Sequence, residues 1–315
     1  MNVIDMRCRP AYLHDFFGAT PGTAAYETAR WLNRRVGSRH DEHFTPSLTR
    51  EGFLQEVHAA GLRHAVVVGR HTPGQHLPND RIQQIVADDP VLLGVGAVDP
   101  IVQGVQPALD ELARAVNTLG LIGIDVEPGF GQPARHADDR AYFPVYEACA
   151  ALNVPVFIMS GPTTPDPSYN DPAAIGRLAQ AFPTLPIVCY HGFYPNVAGI
   201  LGVAFRHENV YVVPDMYLFV AGARDYVEAG NGFLREQLLF GSSYPFRPIG
   251  QSLDDFLALG GDSLIAVRIA ARLRQQLACE VAASDLFRGG TVSGLARLLG
   301  AHSPASAAPN DTTRE

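Results

Sequence analysis

The sequence lacks several features that assign a protein to a class directly. Its 315 residues include one tryptophan and four cysteines. The cysteines, which stand in no C-x-x-C or other metal-ligand spacing, are Cys8, Cys149, Cys189 and Cys279. The sequence therefore gives no sign of a cysteine metal site, and it favours a protein of the reducing cytoplasm.

Long apolar runs and an excess of positive charge are missing as well. No run approaches the about 20 residues that cross a bilayer, and the N-terminus leads straight into a strand without a basic leader region. The 24 Lys and Arg residues against 32 Asp and Glu give a formal charge of −8. Neither a membrane nor a nucleic acid is therefore predicted as a partner.

Short apolar runs alternate with helix-length amphipathic segments along most of the chain. The eight strand-like runs are 3–6, 65–68, 92–97, 122–126, 156–158, 187–190, 210–213 and 238–241. Apolar positions three or four apart predict helices at 49–60, 107–119, 142–152 and 172–182. This pattern predicts an α/β fold, a (β/α)8 TIM barrel. A doubly wound sheet is the alternative, although no G-x-G-x-x-G follows the first strand.

The composition changes after Tyr244. From Gly250 onward only helical segments are predicted, and the last fifteen residues are rich in Ala, Ser, Pro, Asn and Thr. The sequence therefore predicts a barrel over 1–250, a short all-α segment over 251–300 and a disordered tail over 301–315.

Polar residues cluster at the predicted C-terminal ends of the strands, where barrels of this type hold their chemistry. Two-residue spacing places Arg7 with Arg9 on one strand face, and Asp125 with Glu127 on another. The other candidates at strand ends are Arg70, His191, Asp215, Tyr217 and Ser243. So many ionisable groups are costly to bury without partners, and their convergence predicts a functional site.

Several short motifs carry a family resemblance over residues 1–258. They include Gly-Ile-Asp-Val-Glu-Pro at 123–128, Tyr-His-Gly at 190–192 and Phe-Gly-Ser-Ser-Tyr-Pro-Phe at 240–246. Their order and spacing resemble the amidohydrolase-related family, which includes aromatic-acid decarboxylases and small lactone hydrolases. The metal-dependent members carry a His-x-His pair on strand 1, histidines ending strands 5 and 6, and an aspartate on strand 8. The matching positions hold Arg7 and Arg9, Met159 or Ser160, His191, and Ser243.

This departure implies a barrel without the usual hydrolytic zinc site, because two arginines repel a cation and offer no lone pair. We expect His191 to act as acid or base, with Asp215 or Asp125 as its orienting partner. The expected substrate-binding residues are Arg7, Arg9, Arg70, Glu127, Ser243 and Tyr217. Two alternatives stay open. Asp125 or Glu127 could only neutralise the arginines, and a rearranged metal site could use His191, Asp215 and Glu127.

A second resemblance begins where the barrel pattern ends. The segment Leu-Asp-Asp-Phe-Leu-Ala-Leu-Gly-Gly-Asp-Ser-Leu at 253–264 resembles the modification site of peptidyl and acyl carrier proteins. That resemblance implies a 4′-phosphopantetheine on Ser263, a phosphopantetheinyl transferase and assembly-line proteins as partners. The first carrier helix has no room upstream, so residues 251–259 must serve as the last barrel helix and as the start of the carrier segment.

Together these features predict a metal-independent hydrolase of an ester, amide or lactone in specialised-metabolite biosynthesis. Its substrate would be an anionic small molecule or a carrier-tethered one. A decarboxylase or other lyase on the same barrel is one alternative. A non-catalytic scaffold that docks assembly-line partners is the other.

Overall fold

Parallel strands dominate the computed structural model, which describes residues 3–10 and 21–259. The described strands are β1 (Ile4–Cys8), β2 (His64–Val68), β3 (Arg70–Thr72), β4 (Gln75–Leu77), β5 (Leu92–Ala97), β6 (Ile124–Val126), β7 (Val156–Ile158), β8 (Ile187–Tyr190) and β9 (Val210–Val213). Seven of them form one parallel sheet in the order β1-β2-β5-β6-β7-β8-β9. The remaining two, β3 and β4, form an antiparallel hairpin directly after β2. The predicted TIM barrel is confirmed.

An irregular segment closes the barrel where the sequence predicts an eighth strand at 238–241. The amide of Leu239 donates to Val212, and the amide of Met6 donates to the carbonyl of Phe240. Only isolated bridges form, at Leu238 and Tyr244. The prediction of a regular strand is therefore wrong for this segment.

Two local features interrupt the ladder in the closing segment. The amide of Ser242 donates to the Asp5 carboxylate at 2.9 Å instead of to a strand carbonyl. The next residue, Ser243, has a left-handed φ of 57°, which no regular strand accommodates. Bonds between β1 and the Ser243 and Tyr244 region nevertheless complete the closure.

Helices follow the strands and pack outside the barrel. Their bounds are α1 (Ala24–Arg35), α2 (Arg50–Ala59), α3 (Asn79–Val86), α4 (Pro100–Gln103), α5 (Val105–Asn117), α6 (Phe143–Ala151), α7 (Pro172–Ala181), α8 (Val197–Arg206), α9 (Arg224–Gly230) and α10 (Ile249–Leu259). Side-chain caps set several starts: Thr49 accepts from the amide of Gly52 at α2, and Asp171 accepts from the amide of Ala173 at α7. None of the described helices has the length and apolar character needed to span a membrane.

The start of α10 packs on the barrel as its last helix. Its Asp255 receives a bond from the buried Arg247, its first amide, of Ile249, donates to Glu56, and Phe256 meets the ring of Phe240. The chain divides into two units between residues 256 and 257. Ser263, the predicted carrier helices beyond it and the predicted tail at 301–315 lie outside the described residues.

Candidate active site

Nine of the sequence-predicted site residues lie buried at or just beyond the C-terminal ends of the strands. At most 8 % of each residue is exposed for the whole set, which is Arg7, Arg9, Arg70, Asp125, Glu127, His191, Asp215, Tyr217 and Ser243. Their contacts divide them into two adjoining groups. The His191 group contains the imidazole and Arg7, and the Glu127 group contains the other two arginines.

A histidine–aspartate pair forms the centre of the His191 group. Nδ1 of His191 lies 2.9 Å from Oδ1 of Asp215, and the His191 amide donates to the other carboxylate oxygen at 3.2 Å. Both residues have left-handed backbones, with φ of 60° and 46°. Such conformations in residues other than glycine are strained, and they cluster at functional sites. Of the two predicted orienting partners, Asp215 contacts the imidazole, whereas Asp125 lies in the other group.

The environment of His191 suits a base. Burial, followed by the positive charge of Arg7, lowers the pKa of His191 to about 4, so the ring is neutral near pH 7. We assign the Nδ1 proton to the bond with the Asp215 carboxylate, which leaves Nε2 with a lone pair. Nε2 makes no hydrogen bond within the described part of the chain. The Tyr217 ring meets the imidazole edge-on at 5.0 Å and fixes its plane.

Arg7 keeps one donor without a partner among the described residues. Its Nη1 donates to Ser243 Oγ at 2.8 Å and lies 3.9 Å from Asp215 Oδ2, and its Nη2 lies 3.5 Å from Met159 Sδ. Nε is buried, and no hydrogen-bond acceptor for it exists among residues 3–10 and 21–259. Burial lowers the pKa of Arg7, but a guanidinium stays protonated in proteins. The arrangement can therefore accept one further anionic or carbonyl oxygen beside His191.

Arg9 and Arg70 hold a carboxylate of the protein itself. Arg9 donates to the carbonyls of Val68 at 3.0 Å and Gly69 at 2.6 Å, and to Glu127 Oε1 at 2.9 Å. Arg70 Nη2 lies 2.8 Å from Glu127 Oε2. The sequence places all three arginines in one anion-binding role, but the contacts give Arg7 a different environment from the other two.

The paired carboxyls of the Glu127 group differ in charge. Burial, together with the negative charge of Glu127, raises the pKa of Asp125 well above its ordinary value. Burial alone would also raise the pKa of Glu127, but the charges of Arg70 and Arg9 hold it below its usual range. Two carboxyls whose pKa values separate in this way are typical of acid–base sites.

Asp5 is a site residue that the sequence reasoning missed. Fully buried, it accepts bonds from the amides of Arg7 at 3.0 Å and Ser242 at 2.9 Å, so it fixes the strand end and the closing segment against each other. Burial raises its pKa to about 6. Its position within the first strand-like run, 3–6, as a charged residue among apolar ones was the available signal.

A divalent metal does not fit the donors that stand at the strand ends. Guanidinium nitrogens carry no lone pair for a metal, and Arg7 lies on β1 with Arg9 directly after it. His191 Nδ1 is engaged by Asp215, and Glu127 lies between two arginines. Within the described ranges no three His, Cys, Asp or Glu side chains are placed to hold an ion, which includes the rearranged set of His191, Asp215 and Glu127.

The closed ring of parallel strands with helices outside it defines a TIM-barrel protein. The chain belongs to the amidohydrolase family, whose model matches residues 4–264. A phosphopantetheine attachment site model matches residues 248–299, so the two overlap on α10 and the residues after it. Both sequence resemblances are confirmed.

Solved structures support the same fold. An uncharacterised TIM-barrel protein of Bordetella bronchiseptica, Bb4693, is 29% identical with a TM-score of 0.72, and the match covers 82% of this chain and 91% of that one. The 2,6-dihydroxybenzoate decarboxylase from Rhizobium is 18% identical with a TM-score of 0.54, covering 82% and 92%. The second likeness concerns the fold alone.

Curated relatives match each part of the chain separately. The 2-amino-3-carboxymuconate-6-semialdehyde decarboxylase of Dictyostelium discoideum is 30% identical over 134 residues, 41% of this chain and 36% of that protein. Pyochelin synthetase PchE of Pseudomonas aeruginosa is 40% identical over 53 residues, 17% of this chain and 4% of that protein. The chain therefore matches about a third of the decarboxylase and a small part of the synthetase.

Proposed function

We propose that the barrel is a metal-independent acid–base enzyme that hydrolyses an ester, amide or lactone carrying a carboxylate. The observation that carries this proposal is the buried His191–Asp215 pair beside Arg7, whose Nε has no protein acceptor among the described residues. A neutral imidazole and a fixed cation within one contact network are the components that water activation and anion binding require.

Each residue then has a distinct part in the reaction. Arg7 binds the substrate carboxylate through Nε–H and brings the reacting carbonyl beside the imidazole. His191 Nε2 accepts a proton from water, and the resulting hydroxide attacks the carbonyl carbon. Asp215 holds the ring and stabilises the imidazolium that forms. Tyr217 and Ser243 position His191 and Arg7 through the ring contact and the 2.8 Å bond.

Decarboxylation is the second candidate for the same site. It is supported by the 30% identity to a decarboxylase over 134 residues and by the Asp125 carboxyl, whose pKa is raised well above its ordinary value by burial and by the charge of Glu127. In this reaction the site would hold the carboxylate that leaves as CO2 and would protonate the carbon left behind.

A matched set of probes separates these possibilities in the presence of EDTA. The probes are 4-nitrophenyl hydrogen succinate, its uncharged methyl ester and 2,6-dihydroxybenzoate. We expect hydrolysis of the charged ester over the neutral one, and a fall in kcat of about 10²–10⁴-fold in His191→Gln. His58→Gln, which changes an exposed histidine that pairs with Asp89, is the control and should leave the rate unchanged.

The outcomes of this experiment are distinct. Release of CO2 from 2,6-dihydroxybenzoate that depends on His191, without ester hydrolysis, would favour the decarboxylase. Reaction rates that are the same in wild type and His191→Gln would contradict both enzyme proposals and favour the scaffold alternative.

The carrier-like segment suggests how substrate or product reaches the barrel. We propose that Ser263 carries 4′-phosphopantetheine and that the protein works with assembly-line proteins of specialised metabolism. The match over residues 248–299 and the 40% identity to PchE over 53 residues support this. The cytoplasmic location stays a prediction.

Mass spectrometry tests the modification directly. Incubation with a broad-specificity phosphopantetheinyl transferase and coenzyme A should add the mass of one 4′-phosphopantetheine, and Ser263→Ala should abolish the addition. If the wild-type mass does not change, the barrel must take free or partner-borne substrates.

A further inference from the structure

The Asp125 and Glu127 carboxyls lie side by side inside the barrel, because Nη2 of Arg9 contacts both of them, at 3.4 Å and 2.9 Å. Both residues are buried, with 1% and 4% exposed. Two ionised carboxylates this close repel each other and can only accept hydrogen bonds, so one shared proton is the arrangement that burial favours.

The surrounding contacts assign that proton to Asp125. Arg9 Nη2 lies 2.9 Å from Glu127 Oε1, and Arg70 Nη2 lies 2.8 Å from Glu127 Oε2. In the part of the chain that the structure describes, the one ion pair of Asp125 is the longer 3.4 Å contact from Arg9 to Oδ2. Two cations at short range stabilise the charge of Glu127 more than one distant cation stabilises the charge of Asp125.

Two unsatisfied oxygens agree with this assignment. Asp125 Oδ1 and Glu127 Oε2 are both buried without a hydrogen-bond donor in the described part of the chain, because the ion pair from Arg70 to Oε2 does not have hydrogen-bond geometry. A proton on Asp125 Oδ1 that is donated to Glu127 Oε2 satisfies both atoms at once.

We propose that Asp125 is the proton donor of this site, and that Glu127 is the positioning residue that keeps the proton on Asp125. This inference rests on the proposed enzymatic function. Arg9 and Arg70 then act on the substrate indirectly, by holding Glu127 ionised.

The proton balance is the same for either candidate reaction. In hydrolysis His191 takes a proton from water, the C–O or C–N bond breaks, and the leaving atom takes the Asp125 proton. The protonated His191 and the Asp125 carboxylate then return to their starting states through solvent. In decarboxylation the C–C bond breaks, CO2 leaves, and the carbanion takes the Asp125 proton, which solvent replaces.

The charges that face Asp125 come from several strands. Glu127 lies on the same strand end and opposes ionisation of Asp125, whereas Arg9 and Arg7 from β1 favour it. Arg70 and Tyr190 also interact electrostatically with the carboxyl. Removing the charge of Glu127 leaves cations as the dominant neighbours, so Asp125 should then ionise.

Infrared spectroscopy tests the proton assignment without a substrate. Near pH 8, above the pKa of about 6 of Asp5, the wild type should show the carbonyl stretch of a buried protonated carboxyl. Asp125→Asn should abolish the band, and Glu127→Gln should abolish it as well because Asp125 ionises. Asp89→Asn, at a partly exposed ion pair, is the control that keeps it. Absence of the band in wild type, or its persistence in Glu127→Gln, would overturn the proton assignment.

Turnover of the probes tests the catalytic role. With folding confirmed by circular dichroism, Asp125→Asn should lower kcat for ethyl hydrogen succinate, whose ethoxide leaving group needs a proton, by about 10²–10⁴-fold with KM little changed, whereas the 4-nitrophenyl ester should be much less affected. Activity needs the protonated acid and is lost as pH rises through its pKa, so Glu127→Gln should move the alkaline limb to lower pH. Wild-type turnover of the ethyl ester in Asp125→Asn would make the pair structural and leave the proposed function intact. A wild type that converts no probe, with the bands as expected, would contradict the proposed function and the donor role, but not the proton assignment.

Discussion

Replacement of Arg9 should damage the fold far more than replacement of Arg7. Arg9→Met keeps much of the side-chain volume but removes the donors to the carbonyls of Val68 and Gly69, and one of the two cations on Glu127. Arg7→Met removes a bond to Ser243 Oγ and a 3.9 Å contact with Asp215. The two variants therefore form a matched pair on one strand.

The structure sets the scale of each effect. A buried acceptor left without its donor costs about 1–3 kcal/mol, and loss of one partner from a buried ion pair costs about 3–5 kcal/mol. Arg70 still neutralises part of Glu127, and such terms are not additive, so we expect a loss of about 3–5 kcal/mol for Arg9→Met. For Arg7→Met, which loses one hydrogen bond to a hydroxyl, we expect the free energy of unfolding to fall by about 1–2 kcal/mol.

Urea denaturation followed by far-ultraviolet circular dichroism measures both losses, and thermal scans give an independent check. At about 2–4 °C per kcal/mol for a domain of this size, Arg9→Met should lower Tm by roughly 10 °C, and Arg7→Met by only a few degrees. The folded Arg7→Met protein should lose preference for the charged ester. Two results would refute the conclusion that Arg9 stabilises the fold while Arg7 serves the substrate. One is equal destabilisation by the two substitutions, and the other is an Arg9→Met protein within about 1 kcal/mol of wild type.

Three further predictions concern protons and metals. Activity should fall at low pH as His191, with its pKa of about 4, becomes protonated. Arg7→Gln removes a charge that lowers this pKa and should move the acid limb of residual activity to higher pH; an unmoved limb would exclude His191 as the base. A pKa of Asp5 raised from 3.8 to about 6 favours the folded state at low pH and corresponds to about 3 kcal/mol that is lost as pH rises from 4 to 6. Asp5→Asn should flatten the dependence of the free energy of unfolding on pH across that window, as measured by urea denaturation. An unchanged dependence would mean that other groups cause it. Elemental analysis should find well under one equivalent of zinc, manganese or iron, and EDTA should leave Tm unchanged; a stoichiometric ion bound at His191 would revive hydrolysis by metal-bound water.

Apolar periodicity predicts the barrel strands well because it reports burial directly. The runs at 92–97, 156–158, 187–190 and 210–213 coincide with β5, β7, β8 and β9. The eighth run, 238–241, is equally apolar. The residue after it, Ser242, however donates its amide hydrogen bond to the Asp5 side chain instead of to a neighbouring strand. A bond between residues so distant in sequence leaves no trace in local periodicity.

Apolar periodicity does not predict the hairpin β3–β4 or helix α1, and the reason is a different one. The hairpin β3–β4 follows Gly69 directly, and its short strands carry Arg70 and His71 rather than an apolar run. Helix α1 buries few residues, among them Ala29 and Asn33, so its pattern is mostly polar. Neither element therefore has the apolar pattern on which the prediction depends.

The membership of the site follows from strand geometry, but its pairings do not. Alternation predicts that Asp125 and Glu127 share a face with the arginines, and all of these residues are buried together. Which carboxylate orients His191 depends on the left-handed turn at Asp215, and a left-handed conformation in aspartate has no sequence signature strong enough to predict.

Arginines at the end of the first strand separate two tasks that a metal ion performs together. A divalent ion supplies positive charge and also lowers the pKa of a bound water. Guanidinium groups supply the charge, at 3.9 Å from Asp215 and 2.9 Å from Glu127, but they cannot bind water as a Lewis acid. In the proposed reaction the base must therefore be a separate group that is neutral at the working pH. Burial of His191, which lowers its pKa to about 4, meets that requirement, and the bond from Nδ1 to Asp215 leaves the lone pair on Nε2.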